Sequence, residues 1–586
     1  MPLQILGGID TDLTNLTMEE LMSSGLANLS VEDEEGRYLV RHGRKPVNDF
    51  RKPRDSGSNE FVEQENLFEK AFPCLYPFGT GGIEGNQIIK VDYSEHVRWS
   101  LQHHDRRFRK HDIFPFLAFG ILQRRQALGS ARIQMHRKNF EKEARLLSTL
   151  TAEKLTKARN EEEKGIPISD SAVRALKKHA YSGLGRVMGS NQSRYKLRSQ
   201  IWSTTISKGP PSLWITINPS DIHDPIAQIF AGENIDLDSF ISTLGPDRNQ
   251  RAKNIAADPY AAAKFFHFII RAILENLFQV KPTPYKVKSG TGIFGSVSAY
   301  FGTVESQGRG TLHLHLLVWL KHTPSADELS NLLKSDDFRE RICAFIRANL
   351  HAYVPGLESA DSIKDIPKNN EIAYNRPIHP DSPNYNERLQ AFELQLARTE
   401  QIHTCKLRRC LFPNRHGVIE CKRRAPFKCS FEDFITETGE WGPKRLHPYV
   451  NGWVPAILLN ARCNNDGKLL TNGADTKNIT FYVTNYAAKN QTKTHNLSAI
   501  LARAYAYHAT HQDASKFDSL RDEQRLLIFR VMNAINNEQE LAAPMVISYL
   551  MGWDDVYRTH HYTPIFWSSF IGSLFHSFPE LKERNR

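Results

Sequence analysis

The stretch Gly308-Arg309-Gly310-Thr311-Leu312-His313-Leu314-His315-Leu316-Leu317-Val318-Trp319 constrains the fold more than any other part of the 586-residue chain. Leucine and histidine alternate through it, which is the period of a β-strand. Leu312, Leu314 and Leu316 therefore point into a core. His313 and His315 share the opposite face, roughly 6–7 Å apart along the strand. Two imidazoles on a buried strand are costly to desolvate unless something pairs with them. One divalent metal ion pairs with both at once. The competing reading is two core histidines satisfied by hydrogen bonds; a lone histidine favours it, and His-apolar-His favours metal. A third ligand is available upstream: Glu305 and Gln307 have the right parity, and a turn at Gly308-Arg309-Gly310 breaks it for either, so both stay open. Glu305 is preferred because a carboxylate offsets metal charge.

The strand needs partners. Leu213-Trp214-Ile215-Thr216-Ile217, ended by Asn218-Pro219, reads as a second strand, and Gly295–Val304 as a third. Between them, Pro259 opens a helical pattern through Phe278, apolar at Ala262, Phe265, Phe266, Ile269, Ile270 and Ile273. Residues 106–165 read as helices, Ala326–Leu350 as another helix, about Asp475–Asn490 as another, and the tail from 497 as mostly helical. The expected fold class is α+β. The organisation is an acidic, poorly ordered tail at 1–60, a helical region at 61–200, a central domain at 201–500 and a helical C-terminal extension at 501–586. The Pro- and Asn-rich start of 355–445 marks an insertion in the central domain.

Charge follows this division. The chain carries +11 overall, but residues 1–60 carry −4 and 501–586 carry −1, leaving +16 in the middle. A basic body suits a polyanion such as nucleic acid. The 40% hydrophobic content supports a sizeable core and excludes a wholly disordered protein. No apolar run reaches the length of a membrane span. The first ten residues lack the pattern of a secretory signal. Seven cysteines are too few and odd in number for a secreted disulfide scaffold, so a reducing compartment, cytosol or nucleus, is expected.

Two further clusters carry chemistry. In Phe481-Tyr482-Val483-Thr484-Asn485-Tyr486-Ala487-Ala488-Lys489, helical spacing puts Tyr482, Tyr486 and Lys489 on one stripe. A phenol with a pKa of about 10 needs a metal ion or ammonium group to act as a nucleophile at neutral pH. An ordinary amphipathic helix with a Tyr pair is the plain alternative. His403, Cys405, Cys410, His416, Cys421 and Cys429 crowd one short stretch with eight Lys or Arg and one Glu. That suggests a zinc knuckle at 403–429 that grips DNA phosphates, with Arg408, Arg409, Lys422, Arg423 and Arg424 as contacts alongside Arg309. The spacing lacks the usual Cys-x₂-Cys pair, and free buried cysteines are the alternative. Gly290-Thr291-Gly292-Ile293-Phe294-Gly295 matches G-x-G-x-x-G but opens no helix, so a dinucleotide site is rejected. No P-loop occurs: Gly467-Lys468 is followed by Leu469.

Together, His313-Leu314-His315 and the Tyr482/Tyr486/Lys489 helix resemble the HUH endonucleases of rolling-circle type, specifically the "Helitron helicase-like" N-terminal domain of Helitron transposon replication initiators. Phe72-Pro73 to Gly82, Arg106–Arg125, Leu213 to His223, Phe294 to Gly310 and Tyr549–Trp567 also look like this family, so the resemblance covers most of the chain from about 65. It implies a five-stranded antiparallel sheet flanked by helices, with the histidines on a central strand. It implies Mg²⁺ or Mn²⁺ held by His313, His315 and Glu305 or Gln307, and nicking and joining of single-stranded transposon DNA through a 5′-phosphotyrosine on Tyr482 or Tyr486. Lys489 would steady the developing charge, and Zn²⁺ would be structural. The expected site is the nucleus, or nucleus and cytoplasm. Without a motor motif, the chain reads as the front part of such a protein without its helicase: a truncated copy, a partial gene model, or a protein that borrows a helicase from another chain. Two alternatives stand: a decayed or domesticated DNA-binding protein, and a 2-His-1-carboxylate oxygenase, which leaves the tyrosines and lysine without a role.

Overall fold

The computed structural model describes residues 66–85, 91–135, 140–237, 245–283, 286–308, 310–369, 371, 378–407, 410–414, 416–471, 496–511, 519–563 and 567–581, and the backbone of a short hairpin at 40–42 and 45–47. The class is α+β, and the centre is an antiparallel sheet. Its strands are β1 (Leu213–Asn218), β2 (Gly295–Ser306), β3 (Leu312–Leu320), β4 (Asn464–Leu469) and β5 (Val556–Arg558). They lie in the order β4-β1-β3-β2-β5, and a two-residue strand, Thr291–Gly292, pairs with the start of β2 off this path. The histidine strand β3 is in the middle, paired with β1 on one side and β2 on the other.

The alternation expected of β1 and β3 holds, and it separates two cores. Leu213, Ile215, Ile217, Leu312, Leu314, Leu316 and Val318 face a large core that also takes in helix α3 (Pro259–Ala272) through Phe265, Phe266, Ile269 and Ile270. α3 starts where the sequence dictates: Asp258 caps it by accepting from Ala261 N, and Pro259 has the fixed φ of a first helical residue. Beyond Ala272 the chain continues as one π-helical turn, Ile273–Leu277.

The other face holds a smaller core of Ala299, Phe301, Leu317 and Trp319, covered by Leu197 and Ile201 of helix α2 (Asn191–Lys208). Arg194, Leu197 and Ile201 recur at helical spacing, so all three turn toward this face. Burying each such Leu or Ile contributes roughly 1.5–3 kcal/mol. The polar end of the same face carries the histidines.

Residues 127–187 and 497–535 meet around a third core. Residues of the N-terminal helices, among them Phe140, Leu155, Val173 and Leu176, pack with Leu501 of Leu497–Thr510 and with Leu527, Ile528 and Met532 of Leu520–Asn537. The C-terminal region is not purely helical, because it also supplies β5 at the sheet edge. The helix expected over Ala326–Leu350 is two, Ala326–Leu332 and Asp336–Asn349. Within Gly290–Gly295, a Cβ on Gly292 would come within 2.5 Å of the Phe278 carbonyl oxygen, and Gly295 has φ +91°; the glycines serve a tight turn into β2. No helix among the described residues is long and apolar enough to cross a membrane.

Candidate metal centres

The first centre is built by strand register. Glu305 on β2 lies directly opposite His313 on β3, and Thr303 opposite His315. Directly opposed residues of an antiparallel pair share a face, so the carboxylate joins the two imidazoles. His313 Nε2 and His315 Nε2 are 3.1 Å apart. Glu305 Oε2 is 3.6 Å from the first and 3.8 Å from the second. These separations resemble the edges of a coordination shell, which are about 3.0 Å for an octahedral ion with bonds near 2.1 Å. Both histidines are buried, at 6% and 7% exposure.

The surroundings fit a cation. His315 Nδ1 is 3.1 Å from Thr216 Oγ1 on β1, which fixes the ring and leaves Nε2 facing the cluster. His313 Nδ1 and Glu305 Oε1 are buried without a hydrogen-bond partner. Burial works to raise the Glu305 pKa. The hydrogen bond from His313, with the positive charge of His315, His313 and Arg194, outweighs it and holds the carboxyl below its ordinary value. A buried carboxylate kept ionised beside two imidazoles is a donor set for a divalent ion.

Of the two open third ligands, Glu305 is the one in the cluster. The turn after β2 is closed by Gly310 N donating to Gln307 O and Gln307 N donating to Thr311 O, with Gly310 at φ +83°. Gln307 is exposed and gives its amide N–H to Asn218 Oδ1.

The second centre gathers His403, Cys405, Cys410 and Cys421, whose ligand atoms all lie within 4.8 Å of one another. The hairpin of Leu411–Pro413 with Ile419–Cys421 brings Cys421 opposite Leu411 and so beside Cys410. His403 Nε2 is 3.2 Å from Cys421 Sγ, and Lys406 N donates to Cys410 Sγ. Burial and the neighbouring sulfurs of Cys421 and Cys410 push the Cys405 thiol up to about 11. Three sulfurs and an imidazole match the closed tetrahedral donor set of structural zinc. The six expected ligands thus reduce to four. His416 is exposed on the hairpin turn, and Cys429 is exposed with its Sγ facing the Phe427 and Leu446 carbonyls. The cluster is rooted near the sheet, because Asn464 of β4 donates to Glu400 O and pairs through its side chain with Asn218 of β1.

Lys422, Arg423 and Arg424 are exposed beside this cluster, with Lys422 Nζ 3.7 Å from the centroid of the Phe412 ring. Arg309, Arg408 and Arg409 lie outside the described residues, as do Tyr482, Tyr486 and Lys489.

Sequence reasoning missed Thr216. The signal was present in Leu213–Ile217, where the strand period turns Thr216 away from the core and onto the histidine face.

Residues 96–318 match the family model of the Helitron helicase-like domain at N-terminus. The matched stretch runs through β1 and β2 to Val318 of β3, and it contains Glu305, His313, His315 and Thr216. The Cys/His cluster, β4 and β5 lie beyond it. No curated protein matches the chain significantly.

Proposed function

We propose that this protein is a metal-dependent endonuclease of HUH type that nicks and joins single-stranded DNA in rolling-circle transposition. The observation that carries the reading is the convergence of Glu305, His313 and His315 on one face of the central strands, inside the Helitron helicase-like match. Mg²⁺ or Mn²⁺ bound there would supply Lewis acidity at the scissile phosphate.

The protein's own residues do the rest. Thr216 holds the His315 ring, and the β2–β3 register holds Glu305 against His313. A tyrosine, Tyr482 or Tyr486, forms an Oη–phosphorus bond as the bond to the 3′ oxygen breaks. The phenolic proton passes overall to that oxygen, leaving a 5′-phosphotyrosine and a free 3′-OH. The second tyrosine or the 3′-OH reverses the step on another strand end. Lys489 neutralises charge on the phosphate. The Cys₃His cluster would hold Zn²⁺ and present Lys422, Arg423 and Arg424 to DNA phosphates. A helicase activity would supply duplex opening, and the nucleus would be the compartment in which such a substrate is met.

The test is incubation with labelled single-stranded DNA and Mn²⁺. An SDS-stable adduct is expected in the wild type and absent from the Tyr482→Phe/Tyr486→Phe double variant. No adduct across varied sequences and metals overturns the nuclease reading.

A further inference from the structure

Glu305 follows a point where β2 is gripped from outside the β2–β3 pair. The Val304 N–H donates to the Asp555 carbonyl at 2.8 Å, and the Val304 carbonyl accepts from Arg194 Nη1 at 3.2 Å. The same Nη1 donates to Asp555 Oδ2 at 2.9 Å, and the Tyr549 hydroxyl donates to that oxygen at 2.8 Å. Arg194 comes from α2, while Tyr549 and Asp555 come from the segment leading into β5. Arg194 is 1% exposed and Asp555 is 7% exposed.

A buried ion pair is weak grounds for stability, since well-packed apolar residues often do as well. What the pair does here is geometric. β5 faces only Phe301, Gly302 and Thr303 by register, and β2 ends at Ser306. Past Thr303, the side of β2 away from β3 is held through Val304 by Asp555 and Arg194. Arg194 also sends positive charge toward the Glu305 carboxylate.

We propose that Arg194, Asp555 and Tyr549 are positioning residues that aim Glu305 at His313 and His315, so that parts of the chain on both sides of the sheet set the affinity of the metal centre. The inference rests on the reading that Glu305, His313 and His315 bind a divalent ion.

The experiment measures Mn²⁺ binding to the full-length, zinc-replete protein by the paramagnetic signal of the free ion, with His315→Ala as the background. Asp555→Asn and Arg194→Lys are expected to weaken binding about 10–100-fold, the range seen when groups behind metal ligands are changed. Tyr549→Phe should weaken it less. Tyr562→Phe is the control: it removes the hydroxyl that contacts Thr204, a second tie between α2 and the tail that does not touch Val304. It should leave Mn²⁺ affinity unchanged. If Asp555→Asn does not fold, Tyr549→Phe, which loses one hydroxyl, carries the test. Wild-type affinity in Tyr549→Phe and Asp555→Asn, or an equal loss in Tyr562→Phe, overturns the inference. Failure of the wild type itself to bind Mn²⁺ above the His315→Ala background overturns the metal reading, and the inference with it.

Discussion

The two metal-capable clusters are organised in opposite ways. Glu305 and His313 oppose each other in an antiparallel ladder, and His315 is held from the next strand by Thr216. Hydrogen bonds and two hydrophobic cores assemble that site whether or not an ion is bound. His403, Cys405, Cys410 and Cys421 sit in a segment whose regular structure is one three-residue hairpin, with a small core of Cys410, Cys421 and Ala425. A few backbone hydrogen bonds, such as His403 N to Tyr449 O and Phe427 N to Pro448 O, tie it to residues 445–450, and a bound ion would add the strongest constraint. The first cluster is therefore pre-organised by the sheet, and a metal bound there would exchange without unfolding it. In the second, metal binding would be coupled to local folding.

The largest expected effect lies in the second cluster. Structural zinc is worth about 10–16 kcal/mol in isolated finger peptides, so Cys421→Ser or a strong chelator should release one zinc and expose residues 403–429 to protease. Limited proteolysis with zinc quantification checks this. The comparison breaks if the segment stays resistant after the metal has gone, or if Mn²⁺ binding at Glu305 is lost with it.

Next come the ligands on the sheet. Glu305→Gln and His315→Ala should each weaken Mn²⁺ binding by more than about 100-fold, beyond the range for supporting groups. Melting without metal should hardly change. A large fall in the metal-free melting temperature would show that the sheet needs these side chains to fold.

A smaller effect concerns pH and the contact that ties β5 to the body. His267 on α3 hydrogen-bonds Tyr557 of β5 and Ser548, and burial, with Arg271 nearby, pushes its pKa down to about 3. The folded value is below the unfolded one. Its contribution is thus complete above the unfolded value of about 6.5 and is lost as pH falls toward 3. Between pH 7 and 5 this costs about 2 kcal/mol. Denaturant titrations should show a pH 7-to-5 loss smaller by that amount in His267→Gln; an equal loss assigns the acid sensitivity elsewhere.

The smallest effect is at the basic rim of the second cluster. Lys422→Ala and Arg423→Ala should each lower the salt slope of single-strand binding by about 0.7. An unchanged slope removes these residues from the DNA contact.

Much of the first centre could be read directly because its information is local. Alternation in Leu312–Leu316 assigned the faces, and parity named Glu305 and Gln307. The choice between them needed the register, since the turn at Gln307–Thr311 decides which residue lies opposite His313. The second cluster was visible as composition but not as a ligand set: with no period to follow, sequence could not separate Cys421 from Cys429, and only the hairpin pairing does so. The Arg194–Asp555 pair had no local signal, because its members are 361 residues apart and each reads as a surface charge. For the same reason β5 was hidden in a tail that reads as helix.

That last strand has a consequence for how the protein is made. The metal centre is encoded by residue 315, but the segment that grips Val304 arrives only with Asp555, 250 positions after Glu305. At about 5–20 residues per second, a ribosome needs roughly 10–50 s to cover that interval. Throughout it, a nascent chain already carries both histidines and the carboxylate while one side of β2 is still bare. On the positioning role proposed for Asp555, the emerging polypeptide would hold metal poorly until residue 555 has been translated, so completion of the centre waits on a segment made long after its ligands.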